Sequence, residues 1–503
     1  MKDARKVEDN AGVIPFEDMP GIPPIFLAFT RGEAAEFFPD PPTVAAVVDR
    51  ARALSGGPVP AVATGQQAGL FTGPLYSLTK ALGAQRLAAA VAEAGAPARP
   101  VFWLATEDHD LAEVARATVS VEGAPRTFEM PDPSWRPFAP AGGAPVPAAV
   151  AEIFEAISRD GSAPEPVDRF RQIWRPGRTY AEAFVETFRW LLPGPPIEIV
   201  DPLDPRWREA KGAFFARAVA RAEEIVAAPD EVERRLKLRG HSPQVSRVQE
   251  DFPCFLLIEG VRRKLSWKAG TFRVHGQAET FSAQGLLAWA RERGAEPSPG
   301  ALLRPVLQAW LFPVAAQVLG PSELAYHAQT RVLFSLFDRE PPVFVPRPHL
   351  LPRGARERRA IEALGLSERA VFRAREAARG EPPAVAARLS RLEESFARDL
   401  LSLEEEVAAL DSTLVAALRQ AVEKAVHPVA RLREKLERAA ERRDLEKNRR
   451  IETVENWLTP GGSPADRVYT PLTYAARFGP EWVAALAAAA DCRVDGARFV
   501  ELE

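Results

Sequence analysis

The sequence predicts an α/β protein: a parallel β-sheet core with inserted connecting segments, followed by a long C-terminal α-helical coiled coil. Three observations predict it. Up to about residue 350, short apolar runs alternate with helical stretches. Around residues 251–276 the apolar residues alternate singly about two glycines. After about residue 355 they recur at steps of three and four. The first pattern belongs to strands covered on both faces, the second to antiparallel hairpins, the third to a heptad seam.

In chain order, "PVPAVAT" (58–64) reads as a buried strand, Leu75 to Ala94 as a helix, and "RPVFWLAT" (99–106) as a second strand. Strand, helix and strand at this spacing form a βαβ unit, whose crossover makes the strands parallel. "PIEIVD" (196–201), "AQVLG" (316–320) and "PPVFVPR" (341–347) extend the same sheet, with a helix from Pro321 to Phe337 crossing between the last two. The proline-rich stretch 129–147 is an irregular surface loop. The segment 251–276, "DFPCFLLIEGVRRKLSWKAGTFRVHG", turns at Gly260 and Gly270 and predicts hairpins inserted into the parallel core.

The heptad seam runs through Leu389, Leu392, Phe396, Leu400, Leu403, Val407, Leu410, Leu414 and Leu418. Pro428 fits the first turn of a second helix, so two long helices are expected to join near residue 427. A helix of about 38 residues is roughly 57 Å long. Such a seam standing alone would expose too many leucines, which predicts a homodimer through the coiled coil; a bundle capping its own core is the alternative. The expected division is a core at 1–350 with insertions at about 120–195 and 205–300, linker helices at 351–385, the antiparallel or dimerising coiled coil at 386–458, and a C-terminal segment at 459–503 packing back on the core.

Composition bounds the function. Apolar residues make up 46% of 503, charged residues 26%, and the formal net charge is -3. That balance gives no overall attraction to nucleic acid or anionic membrane. The arginine-rich stretch 431–450 is interspersed with Glu434, Glu437, Glu441 and Glu446, the pattern of a solvated helix with i,i+4 pairs rather than a nucleic-acid clamp. No window approaches the about 18 apolar residues of a membrane span. The N-terminal stretch lacks a signal-peptide core, and Cys254 and Cys492 stand far apart, so a reducing, cytoplasmic setting is expected.

Polar residues gather at predicted strand ends, where open α/β sheets bind ligands. "ATGQQAGLFTGPLY" (63–76) ends the first strand. Gly65, Gly69 and Gly73 allow close backbone approach, and Thr64, Gln66, Gln67 and Thr72 supply neutral donors and acceptors. The following helix points its positive end into the same place. The stretch has neither the P-loop nor the dinucleotide-binding glycine pattern, and a plain surface loop is the other reading. The second strand ends in "TEDHDLAE" (106–113). Burying Glu107, Asp108, His109 and Asp110 together is unfavourable unless they meet cations or substrate. Asp110 and Glu113 also fit a capping box for the next helix. His109 between acids is expected to favour its protonated form, as an acid/base, an anion binder or a satisfied structural residue. A metal site is the weakly signalled alternative, since no second His or Cys stands at ligand spacing, and none is assigned. "LLRPVLQAWLFPVAAQVLGPSELAYHAQ" (302–329) repeats strand, glycine turn and helix. It contributes Arg304, Gln308, Gly320, Ser322, Glu323, Tyr326 and Gln329, with Glu323 also suited to complement the helix dipole.

"ATGQQAGLFTGPLY", "VFWLATEDHDLAEV", the 302–329 stretch and "PRPHL", followed by the long helical half, resemble the BshC family of bacillithiol biosynthesis over nearly the whole chain. The resemblance implies a Rossmann-like core with connecting insertions and a dimer built through the coiled coil. It implies a ligase that joins L-cysteine to the amine of glucosaminyl-malate. The carboxylate must be activated, so ATP or ADP is an expected ligand, at a site the sequence does not locate. On that reading Gln66, Gln67 and the glycine-rich backbone bind the sugar hydroxyls and the malate, and Glu107, Asp108 or Asp110 holds or deprotonates the ammonium. His109 then binds phosphate or the developing oxyanion. Two stretches depart from the family pattern. Gly300 and Ala301 stand where Asn and Val are expected, and "SPADR" (463–467) lacks the expected Gln-Glu pair.

Overall fold

The computed structural model describes residues 13–130, 132, 134–158, 164–245, 250–378, 384–443, 445–492 and 495–503. It divides into two compact units, one of 1–355 with 457–503 and one of 356–456.

The first unit is built on a five-stranded sheet of β1 (Ala61–Gln66), β2 (Arg99–Leu104), β3 (Glu198–Val200), β4 (Val314–Leu319) and β5 (Val343–Pro346). Its order is β5-β4-β1-β2-β3, and every pairing is parallel. The apolar runs expected to share a sheet do so. From β1 the chain winds outward through β2 to β3, then returns beside β1 as β4 and winds the other way. The reversal lies between β1 and β4, so a cleft opens at their carboxyl ends. Successive residues of β1 feed opposite faces. Val62 packs with Val47, Leu87, Val318 and Val345, whereas Ala61 and Ala63 pack with Val101, Trp103, Phe214 and Leu307. The helix Tyr76–Glu93 (α1) supplies much of the first layer, including Ala84, Leu87, Ala88 and Val91.

The hairpin segment forms a separate antiparallel sheet rather than joining the parallel one. Asp251–Ile258, Val261–Lys268, Thr271–Val274 and Thr280–Phe281 pair in succession, and Glu296–Pro299 adds at the Asp251–Ile258 edge. Two residues make each tight turn, Glu259-Gly260 at φ 49° and 75°, and Ala269-Gly270 at φ 46° and 82°. Paired positive φ values are what a type I′ hairpin requires. A third sheet joins the ends of the unit: Val13–Pro15 pairs with Gly496–Glu501, which pairs with His349–Arg353.

The second unit carries helices α4 (Ala384–Leu401), α5 (Glu404–Leu410) and α6 (Leu414–Arg443). It corrects the expected joint near residue 427. The chain reverses at 411–413, where the Asp411 carboxylate accepts from the Thr413 N–H at 2.8 Å and hydroxyl at 2.7 Å. Pro428 lies inside α6. It has no N–H for the Lys424 carbonyl, and both residues are exposed, so the missing bond is lost where water has access. Arg433 pairs with Glu393 at 3.4 Å across the hairpin and with Glu437 at 3.1 Å along it. Arg438–Glu434 and Arg450–Glu446 are also i,i+4 pairs. No helix among the described residues is long and apolar enough to cross a membrane.

Candidate active site

A cavity of about 210 Å³ occupies the switch point. Thr64, Gly65, Gln66 and Gln67 line it from the end of β1, Trp103 and Ala105 from β2, and Gln317 and Leu319 from β4. Two helices complete it: α2 (Arg304–Leu311) with Arg304 and Gln308, and α3 (Pro321–Thr330) with Glu323, Tyr326 and His327. Eight of the residues expected from sequence therefore share one space: Thr64, Gly65, Gln66, Gln67, Arg304, Gln308, Glu323 and Tyr326.

The remainder stand apart, for physical reasons. Beyond Gln67 the chain turns into Leu70–Thr72, and Phe71 inserts among Phe154, Phe170 and Trp174. A Cβ on Gly69 would come 3.0 Å from the Gly73 Cα, so these glycines and Thr72 fold the loop onto itself rather than meeting a ligand. The N-terminus of α1 does not open into the cavity either, since the Leu75 N–H donates to the Tyr469 carbonyl at 2.8 Å. Gly320 acts through its N–H, which donates to Glu323 Oε2 at 2.7 Å, and Ser322 is exposed. Gln329 faces away, donating to Glu233 at 2.9 Å and accepting from the Val245 N–H at 3.2 Å.

Lys80, which no sequence motif marks, is central. It is 2% exposed, and its ammonium donates to Glu323 at 2.7 Å, Gln66 Oε1 at 2.8 Å and the Gly65 carbonyl at 3.0 Å. Burial lowers its pKa and Glu323 opposes that shift. In sequence it looks like one more solvated lysine of an Ala-rich helix. Gln66 also donates to the Tyr76 hydroxyl at 3.2 Å.

Behind Arg304 lies the acidic segment, none of whose four expected catalytic residues lines the cavity. Arg304 Nη2 donates to Asp108 at 3.1 Å, and its Nε lies 3.4 Å from Glu107 without hydrogen-bond alignment. Arg262, from the antiparallel sheet, completes the charge balance. It donates to Ser298 at 2.9 Å and the Pro299 carbonyl at 3.2 Å, and stands 3.5 Å from Asp108. Burial favours a neutral Asp108, but Arg304 and Arg262 outweigh it and hold the carboxyl at about 2. Burial dominates at Glu107 and raises its pKa. The expectation for His109 is overturned. Burial and the adjacent Arg262 lower its pKa, because the guanidinium donates to Nδ1 at 2.9 Å and so needs the neutral ring. Asp110 caps the short helix Leu111–Val114 by accepting from the Glu113 N–H at 3.0 Å. The box is half formed, since the Glu113 carboxylate instead accepts from Gln67 at 3.0 Å.

The two departing stretches also have clear places. Ala301 lines the cavity, and the Gly300 N–H donates to the Pro253 carbonyl at 3.0 Å. Asp466 is fully buried 2.7 Å from Arg347. Among the described residues no group of His, Cys, Asp and Glu is arranged to hold a metal ion.

Two family models cover most of the chain: the N-terminal Rossmann-like domain of bacillithiol biosynthesis BshC over residues 42–348, and its C-terminal coiled-coil domain over residues 356–492. The chain belongs to the BshC family. A relative from Solibacter usitatus is 33% identical over 431 residues, covering 83% of this chain and 80% of the relative. Relatives from Koribacter versatilis and Salinibacter ruber are 29% and 28% identical over 438 and 441 residues, covering 86% and 84% of this chain and 82% and 79% of theirs. All three carry the name "Putative cysteine ligase BshC". The BshC Rossmann-like domain thus contains every residue of the switch-point cavity, and Lys80, Arg262 and the acidic segment with it.

Proposed function

We propose that this chain is the ligase that joins the carboxyl group of L-cysteine to the amine of glucosaminyl-malate, yielding bacillithiol. The observation that carries the reading is the convergence of polar side chains from 64–67, 304–308 and 317–327 on one cavity in a chain of this family. Arg304, steadied by Asp108 and Glu107, offers a planar donor edge suited to a substrate carboxylate. Gln66 and Gln67 supply donors and acceptors for sugar hydroxyls and the malate. Glu323 lines the cavity beside Lys80 and suits the ammonium before it loses its proton. Asp108 is too weak a base for that step, because its carboxyl is held at about 2. It acts by orienting Arg304 and Arg262.

Amide formation from a free carboxylate is uphill in water, and ATP is proposed as the co-substrate that activates it. The cavity is about 210 Å³, against roughly 300–1,000 Å³ for pockets that engulf a drug-sized ligand, and the lysine or arginine that lines it, Arg304, already faces carboxylates. It suits the reacting ends of the substrates and does not suit a nucleoside triphosphate. A homodimer through the helical unit is part of the same proposal. Leu392, Phe396, Leu403, Leu410 and Leu414 of the heptad seam remain exposed on the single chain. Deleting the gene and measuring low-molecular-weight thiols by mass spectrometry tests the reaction. Bacillithiol should vanish and glucosaminyl-malate accumulate; an unchanged thiol pool would sink the assignment.

A further inference from the structure

His327, Gln317 and Gln308 form a buried row along one wall of the cavity, 1%, 3% and 7% exposed. His327 Nδ1 lies 2.7 Å from the backbone oxygen of Glu323. A carbonyl oxygen only accepts, so Nδ1 carries a proton, and in a neutral ring Nε2 then carries a lone pair. Nε2 lies 3.1 Å from one end of the Gln317 carboxamide, whose other end is 2.8 Å from the Gln308 carboxamide. With Gln317 Oε1 placed toward Nε2, two acceptors face each other unless the ring is an imidazolium. That cation would be buried, and burial, with the Lys80 charge adding to it, instead pushes His327 down to about 4. The two ends of a carboxamide have nearly the same shape. Turning both over satisfies every contact: Gln317 N–H donates to His327 Nε2, and Gln308 N–H donates to Gln317 Oε1. The Gln308 carbonyl oxygen is then the end left for the cavity.

We propose that this relay aims the Gln308 carbonyl oxygen at the substrate and makes it the acceptor that selects a primary amine. The inference rests on the ligase reading, in which both L-cysteine and glucosaminyl-malate carry such a group. Gln308 touches the substrate; Gln317 and His327 are positioning residues. An amine N–H pairs with the fixed carbonyl, whereas an analogue lacking it leaves that oxygen desolvated and unpaired, which is how buried polar groups reject poor substrates. The opposite orientation would present an NH₂ group and repel an ammonium.

Two measurements test it. Nitrogen-15 NMR of histidine-labelled protein, which has six histidines, reads the ring directly, with His327→Gln assigning the signal. The expected state at neutral pH is a protonated Nδ1 and a bare Nε2; an imidazolium or the Nε2–H tautomer overturns the relay. This readout needs no activity. The second compares binding of L-cysteine with 3-mercaptopropionate, and of glucosaminyl-malate with its analogue lacking the 2-amine. The native protein should prefer the amine in at least one pair by about tenfold, the effect of a hydrogen bond to a charged group, and the pair shows which amine is read. Gln308→Met should abolish that preference and Gln317→Met weaken it. Preference that survives Gln308→Met in both pairs overturns this inference alone. Absence of binding by either amine overturns the ligase reading and the amine assignment together.

Discussion

Arg304 and Arg262 approach Asp108 at 3.1 and 3.5 Å, and the depressed carboxyl that results has a consequence for stability. A carboxyl whose folded pKa lies below its unfolded value stabilises the fold above the unfolded pKa and loses that contribution as pH falls through the folded one. For Asp108 the two values are 3.8 and about 2, so roughly 2 kcal/mol should be lost between about pH 4 and pH 2. Asp108→Asn should flatten that part of the stability profile in urea melts and lower kcat/KM, because Arg304 loses its anchor. An unchanged acid slope would show that the carboxyl is not held. The Lys80–Glu323 pair makes a second prediction, from unequal burial. Their side chains are 3% and 29% exposed, so Glu323→Gln strands a buried ammonium while Lys80→Met leaves a carboxylate that water still reaches. Glu323→Gln should destabilise more, toward the roughly 3–5 kcal/mol seen on breaking buried pairs. Equal losses in denaturant melts would count against this account. The sequence disclosed Gln66 and Glu323 because they follow apolar strands, where polar residues stand out, and Arg304 because it lies just upstream in the same stretch. Lys80 and Arg262 were not legible. Each lies in a helix or hairpin where a basic residue ordinarily faces water, and only the tertiary fold buries them against carboxylates.

Strand β1 shows how an element aims these side chains. Gly65 pairs with Trp103 of β2, and a Cβ built on Gly65 would lie 2.6 Å from the Trp103 carbonyl oxygen and 3.0 Å from its Cβ. Gly65→Ala must therefore part β1 from β2 at the point where Gln66, Gln67 and the Gly65 carbonyl meet the cavity and Lys80. Overpacking of this kind destabilises by roughly 1–3 kcal/mol. The variant should lose stability and raise KM together, measured by chemical denaturation and steady-state kinetics; a stable variant with native KM would mean the strand absorbs the methyl group. Most of the sheet was readable because a strand covered on both faces is apolar throughout, as in "VFWL" (101–104). The helical half was read less well. Its heptad steps continue smoothly across Leu403, Leu410 and Leu414, yet short breaks at 402–403 and 411–413 divide it into three helices. A periodicity argument weighs apolar spacing and is blind to a three-residue turn closed by Asp411 and Thr413. It also overrates Pro428, because an exposed helix tolerates a missing N–H that water can replace.

At the scale of the whole molecule, exposed apolar side chains concentrate in one unit. Val385, Leu392, Phe396, Leu401, Leu403, Leu410, Leu414, Leu432 and Leu445 are all at least 40% exposed, and all belong to residues 356–456. Leu410 is 86% exposed, although it lies on the predicted seam. Within that unit α4 and α6 already pair, held by Arg433–Glu393, with Arg419–Glu404 joining α5 to α6. The seam residues that stay outside this pairing are therefore available to a second copy. Full burial of each large apolar side chain contributes roughly 1.5–3 kcal/mol, and several from each of two chains suffice against an association cost of about 4–15 kcal/mol. If this face self-associates as proposed, the native chain should sediment as a dimer, and replacing Leu392, Phe396 and Leu410 together by Glu should give a 55.0 kDa monomer in sedimentation equilibrium. Far-UV circular dichroism should be largely unchanged, because these side chains are at least 49% exposed before association. A native protein that sediments as a monomer at micromolar concentration, or a triple variant that still dimerises, would refute the assignment of this face to self-association.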